Sequence, residues 1–163
     1  MKKLYIVRHA KSDWDNDLED FDRPLNDRGE RDAPIMAERI KKMGHKPEII
    51  ISSSAKRATT TAKYFAKEYE YPEHCIRQED NIYNLGQRFI LSMLAELPPT
   101  TDSAMVFGHN PDLSYVSTLL SNTQIGNMPT CSVVGIEFNT NEWNEIRKAD
   151  PTLLFFEYPK KQQ

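Results

Sequence analysis

Short apolar runs alternate with amphipathic stretches along most of the chain, and the two hydrophobic periods distinguish strands from helices. Positions 3–8 form a β-branched and aromatic run that predicts a buried strand. Positions 26–43 carry Ile35, Met36, Ile40 and Met43 at helical spacing and stop at Gly44, which predicts an amphipathic helix. Residues 48–52 predict a second strand, and Ser54 is placed to cap a helix running to about Tyr69. A weak third strand falls at 75–78. A helical pattern over 88–97 ends at Pro98 and Pro99. Residues 103–108 form another apolar strand, followed by a helix over 111–121 with proline in its first turn. Two late strands, 132–138 and 153–158, are joined by a turn through Asn139, Thr140 and Asn141.

Strands separated by helices of this length imply βαβ units. The expected fold is a three-layer, doubly wound α/β domain. Its sheet is mainly parallel, with helices on both faces, and the close final pair admits one antiparallel edge strand. No repeat or composition break marks a linker, so residues 1–159 are expected to form one domain and 160–163 a frayed tail. A chain of 163 residues is long enough to bury a core without metal or disulfide staples. With 39% hydrophobic and 28% charged residues it falls among globular rather than disordered sequences.

Composition narrows the function classes only modestly. Cys75 and Cys131 allow at most one bridge and form no C-x-x-C, so a reducing cytoplasm is the default compartment. The apolar run 4–7 is cut off by Arg8 and His9, too early for a secretory leader or a membrane span. A net charge of −3 argues against general binding to nucleic acid or to a membrane surface.

In open α/β sheets ligands gather beyond the carboxyl ends of the strands. Arg8, His9, Lys11 and Ser12 follow the first predicted strand. Ser52, Ser53, Ser54 and then Arg57 follow the second. Gly108, His109, Asn110 and Pro111 follow the fourth. Two histidines and two arginines from three distant segments therefore fall at one rim. Arginines beside helix N-termini suit an anion, phosphate above all, and a histidine among them suits a nucleophile that forms a phosphoenzyme. Each pair alone would pass for a surface pair or a helix cap; their co-location is what points to chemistry. His45 and His74 lie in loops beside Lys46 and Glu73 and read as surface residues.

Other phosphate chemistries lack their residues. A cysteine phosphatase needs Cys-x5-Arg, but Asn81 and Glu137 stand six residues after the two cysteines. The stretch 13–22 holds six carboxylates and no cation, yet a calcium loop would need Gly and Glu where Leu18 and Pro24 stand. It reads most simply as a solvated loop, or else as a mouth that grips a basic partner. No P-loop or dinucleotide fingerprint occurs, and no metal-ligand spacing or cofactor motif is present.

Arg8, His9 and Ala10 resemble the Arg-His-Gly motif of the histidine phosphatase superfamily, the phosphoglycerate mutase-like group. Ser12 and Trp14 fit its Ser-x-Trp-Asn continuation, with Asp15 in place of Asn. Ser53, Arg57, Ala58, Thr61 and Ala62 resemble the segment carrying the second arginine, with Ser54 where proline is usual. Gly108 and His109 fit the second histidine. Arg23, Pro24, Leu25, Asn26 and Gly29 are closest to the short SixA-type phosphohistidine phosphatases. The resemblance implies that His9 carries the phosphoryl group while Arg8, Arg57 and His109 surround its oxygens. Arg23, Ser12 and Asn110 would contact substrate, Arg23 having an equal claim as a partner of nearby carboxylates. It implies catalysis without metal or cofactor, on a phosphohistidine protein or a small phosphorylated metabolite. An intact histidine and arginine set argues against an inactive phosphoprotein-binding module, and the short chain leaves little for a mutase lid. Ala10 can replace the family glycine if its φ is not positive.

Many superfamily members place an acidic proton donor after the third strand. Glu79 and Asp80 lie just upstream of that position, which Asn81 or Tyr83 occupies more nearly. Without a donor, substrates whose leaving group departs readily, phosphohistidine or aryl phosphates, are favoured over sugar phosphates.

Overall fold

A computed structural model describes residues 1–161. Its sheet has six strands: β1 (Lys2–Arg8), β2 (Ile49–Ser53), β3 (Arg77–Glu79), β4 (Ser103–Gly108), β5 (Val133–Phe138) and β6 (Pro151–Glu157), in the order β3-β2-β4-β1-β5-β6. The pairings β1–β4, β2–β4 and β2–β3 are parallel, whereas β1–β5 and β5–β6 are antiparallel. The expected antiparallel pairing thus lies at one edge; β5 is the reversed strand and β6 runs outside it.

Five helices complete the layers: α1 (Asp27–Lys42), α2 (Lys56–Glu68), α3 (Asp80–Asn84), α4 (Gln87–Ala95) and α5 (Asp112–Ser121). The period-2 alternation of β1 divides the core. Tyr5 and Val7 face Ala33, Met36, Ala37 and Ile40 of α1 and Ala62 and Phe65 of α2. Leu4 and Ile6 face Ile82, Leu94, Leu113 and Val116 from α3, α4 and α5. Each fully buried aliphatic side chain contributes about 1.5–3 kcal/mol, so both faces anchor the central strands.

Several element boundaries depart from the sequence pattern. Ile35 within α1 and Met43 at its C-cap are exposed, and small Ala33 and Ala37 complete the buried stripe instead. Ser54 does not cap α2: Ala55 holds the cap position, and the side chain of Ser53 accepts the Ala55 N–H at 3.2 Å. β3 begins later than expected because a 3-10 turn, Glu73–Cys75, takes the preceding residues. Its exposed edge position carries little hydrophobic signal, and the five-residue α3 is too short to show a helical period. β6 starts at Pro151, and a 3-10 turn (Trp143–Glu145) follows the expected turn at 139–141 within the connection. Beyond β6, Lys161 folds back, its ammonium donating to the Phe156 carbonyl at 2.7 Å. The rest of the expected tail, 162–163, lies outside the described residues.

Candidate active site

Sheet register brings the two histidines together. Arg8 pairs with Gly108 across β1 and β4, so His9 and His109 leave neighbouring strands at the same level, with ring centroids 5.3 Å apart. β2 delivers Ser53 to that rim and the first turn of α2 delivers Arg57. The segment before β5 closes it from the other side: the Cys131 N–H donates to the His9 carbonyl at 3.0 Å, and Arg8 Nη1 donates to the Met128 carbonyl at 2.8 Å. Arg8, His9, Ser12, Arg23, Arg57, His109 and Asn110 all line one depression of about 230 Å³.

The hydrogen bonds of His9 define its tautomer. Its Nδ1 lies 2.7 Å from the Ala10 carbonyl, which can only accept, so Nδ1 carries the proton and Nε2 keeps its lone pair. Arg57 Nε approaches that Nε2 at 3.4 Å. Burial pushes the imidazole down to about 3, reinforced by His109, Arg57 and Arg8 against the opposing Ala10 hydrogen bond. His109 is lowered to about 4, first by burial and then by Arg57. Both rings are therefore neutral near pH 7. His109 Nε2 is 2.8 Å from Ser53 Oγ, while its Nδ1 and Arg8 Nε are buried with no hydrogen-bond partner among the described residues.

Ala10 is buried and its φ is not positive, as its place in the motif requires. Its N–H donates to Thr61 Oγ1 at 3.0 Å, and the Thr61 hydroxyl donates to the Arg57 carbonyl at 2.8 Å. Thr61 therefore ties the loop after β1 to the helix turn that presents Arg57.

The acidic stretch 13–22 contributes a residue that spacing could not single out. Within a 3-10 turn (Asp20–Asp22), the Asp20 carbonyl accepts from Arg57 Nη1 at 2.6 Å and its Oδ2 from Arg57 Nη2 at 3.0 Å. Oδ1 accepts from Arg23 Nε at 3.0 Å, and the Tyr83 hydroxyl donates to Oδ2 at 2.7 Å. Partial burial would raise this carboxyl, but Tyr83, Arg57 and Arg23 outweigh it and hold it at about 2. Arg23 is fully engaged: Nη1 donates to Ser12 Oγ at 2.6 Å, Nη2 pairs with Asp20, and the Trp14 ring stacks over the guanidinium at 3.4 Å. Asn110 is similarly occupied, donating to Asn127 and to the Met128 carbonyl and accepting from Ser114. Both line the depression while spending their polar atoms on neighbouring protein.

Glu79 and Asp80 do not line it. Glu79 is held by Arg77 at 2.6 Å, and Asp20 is the one carboxylate among the lining residues. Among the described residues no group of three or more His, Cys, Asp or Glu side chains is placed to hold a metal ion. Nor is any helix among them long and apolar enough to cross a membrane. Cys75 and Cys131 are both free.

Residues 4–82 match the family model of the histidine phosphatase superfamily, branch 1. An uncharacterized chloroplastic protein of Arabidopsis thaliana is 29% identical over 153 residues, covering 88% of this chain and 70% of that protein. A crystal structure assigned as the phosphohistidine phosphatase SixA of Agrobacterium tumefaciens superposes with a TM-score of 0.83 at 25% identity, covering 97% of this chain and 98% of that one. The protein histidine phosphatase SixA complexed with tungstate shares the fold with a TM-score of 0.76 at 18% identity, over 96% and 97% of the two chains. Two rim histidines and two rim arginines, on a sheet built as in these proteins, agree with the sequence match: residues 4–82 are similar to the histidine phosphatase superfamily, branch 1, and the chain resembles the SixA type.

Proposed function

We propose that the protein is a metal-independent phosphatase that removes phosphate from phosphohistidine in another protein through a phosphohistidine intermediate on His9. The observation that carries this reading is the His9 imidazole: neutral, protonated on Nδ1, with its Nε2 lone pair facing Arg57 beside His109.

In the first step Nε2 attacks phosphorus in line. A P–N bond to His9 forms, the bond to the leaving group breaks, and the bonding pair leaves with that group. Arg8 and Arg57 take the equatorial oxygens and His109 lies against the same face, so positioning and fixed charge stabilise the transition state. Water then attacks phosphorus, the P–Nε2 bond breaks, its electron pair returns to Nε2, and inorganic phosphate departs. The arginines supply the positive charge that a cation would otherwise bring.

Pocket size favours a protein substrate. About 230 Å³ is below the roughly 300–1,000 Å³ of pockets that engulf a small molecule, so the site takes the phosphoryl end and leaves the rest outside. The one lining carboxylate, Asp20, is ionised at neutral pH and has no proton to donate, which suits an imidazole leaving group better than an alkoxide. One observation favours a small phosphorylated metabolite instead: Lys11 also lines the depression and could meet a second anionic group.

The decisive experiment compares turnover of a phosphohistidine-carrying protein with a panel of sugar, nucleotide and aryl phosphates, and traps the phosphoenzyme. His9→Ala should abolish turnover and the acid-labile phosphoenzyme together. Retention of more than about a hundredth of the wild-type rate would exclude His9 as nucleophile, since losing a nucleophile costs far more. Preference for a metabolite phosphate would shift the assignment to a small-molecule phosphatase of the same superfamily.

A further inference from the structure

We infer that Asp20 is a positioning residue of this site, the carboxylate that fixes where Arg57, and with it Arg23, presents its charge. The inference rests on the phosphatase reading above, because Arg57 matters only if an anion is held there.

Arg57 is gripped at its end. Nη1 donates to the Asp20 carbonyl and Nη2 to the Asp20 carboxylate, at 2.6 and 3.0 Å, while Nε remains directed at His9 Nε2 at 3.4 Å. Asp20 therefore grips the end of the guanidinium away from Nε, and half of its grip is a main-chain carbonyl, which a change of side chain leaves in place. A long arginine side chain has much rotamer freedom, and a planar fork held at both terminal nitrogens has lost that freedom before substrate arrives. The same carboxylate receives Arg23 at 3.0 Å and the Tyr83 hydroxyl at 2.7 Å. Tyr83 in turn packs edge-on against Phe21 at 5.2 Å and against His109 at 5.4 Å. Asp20 thus joins the loop after β1, the start of α2 and the residues after β3 around one charge. Its neighbours Asp13, Asp15, Asp17, Glu19 and Asp22 make no ion pair with either arginine.

Three roles for Asp20 predict different behaviour. A positioning role predicts that Asp20→Asn, nearly identical in shape, weakens binding of inorganic phosphate and lowers kcat/KM about 10- to 100-fold on every phosphate substrate alike. In an Arg57→Lys background, where the two-pronged grip is already gone, the same change should cost less than about 2-fold. Phosphate binding is read by calorimetry and turnover with p-nitrophenyl phosphate and with a phosphohistidine protein; the melting temperature of each variant checks folding. A proton-donor role would instead give a loss confined to alkyl phosphates, with loss of one limb of the pH profile. A competing internal anion would make phosphate bind more tightly to Asp20→Asn. Either result overturns the inference, as does an undiminished Asp20→Asn effect beside Arg57→Lys. Wild-type protein that neither binds phosphate nor turns over would overturn the phosphatase reading as well; normal wild-type behaviour with an unaffected Asp20→Asn variant would remove this inference alone.

Discussion

His9 and His109 show how a side chain's surroundings select its protonation state. Both are buried from water, beside guanidinium groups, so each binds a proton less readily when folded than the ordinary imidazole value near 6.5. The sign of the pH effect follows. Between about 6.5 and the depressed folded values, the unfolded chain carries more protons than the folded one, so stability falls as pH falls through that window and is fully present above it. Denaturant midpoints measured between about pH 7.5 and about pH 4.5 should therefore drop on acidification. A His9→Gln variant should show a shallower slope over the same range. An identical slope in the two proteins would show that His9 titrates normally. At this scale much was legible in the sequence: Arg8, His9, Arg57 and His109 each follow a predicted strand end and occupy the rim. Asp20 was not, because nothing in the order of residues separates it from five other carboxylates in the same stretch.

At the scale of elements, the entry to α1 explains why particular residue types recur between positions 23 and 29. Asn26 caps the helix, its side chain accepting the Gly29 N–H at 2.9 Å, and its own N–H donates to the Lys11 carbonyl at 3.0 Å. A side chain at Gly29 would collide with that same Lys11 carbonyl, so only glycine lets the first turn of α1 rest on the loop after β1. Gly29→Ala should destabilise the fold by about 1–3 kcal/mol, the usual cost of overpacking, because main chain must move to admit the methyl group. It should also lower turnover by displacing residues 9–12, whereas Gly44→Ala, with open space around its Cβ, serves as the control for strain alone. Urea denaturation and kinetics on both variants test this; a Gly29→Ala protein as stable and active as wild type would show that the close approach is not required. Local propensity alone misreads this helix in one respect. Pro34 lies inside α1 and would be expected to break it, yet Ala33, Met36, Ala37 and Ile40 bury the stripe on both sides of it.

For the whole molecule, the proposed phosphatase activity makes the arrangement of charge around the pocket a predictor of substrate choice. Asp20 is ionised and Glu79 is committed to Arg77, so proton donation to a leaving group is weak at neutral pH. General acid assistance is worth roughly 10²–10⁴ in rate. Hydrolysis of phosphohistidine and aryl phosphates should therefore far exceed that of serine, threonine and sugar phosphates, and Glu79→Gln or Asp80→Asn should change phosphohistidine turnover only a few-fold. Efficient alkyl phosphate hydrolysis with a large loss in either variant would identify that carboxylate as the acid. Exhaustive chelation should leave activity intact; loss with EDTA restored by Mg²⁺ or Zn²⁺ would discard the arginine clamp.

The order of elements, the two-faced sheet and the principal rim residues were determined by the sequence itself. Hydrophobic period reports which residues avoid water, and residues directly after buried strands must emerge at the sheet's carboxyl edge. Tertiary structure alone decided the rest. Register set His9 opposite His109, and Ser53 was drawn to His109 while Ala55 took the helix cap. The loop 13–22 folded so that one carboxylate of six met Arg57, Arg23 and Tyr83. Those contacts join residues up to 63 positions apart, and hydrogen bonds at such separations depend on how elements pack, which no local pattern of polar and apolar residues encodes.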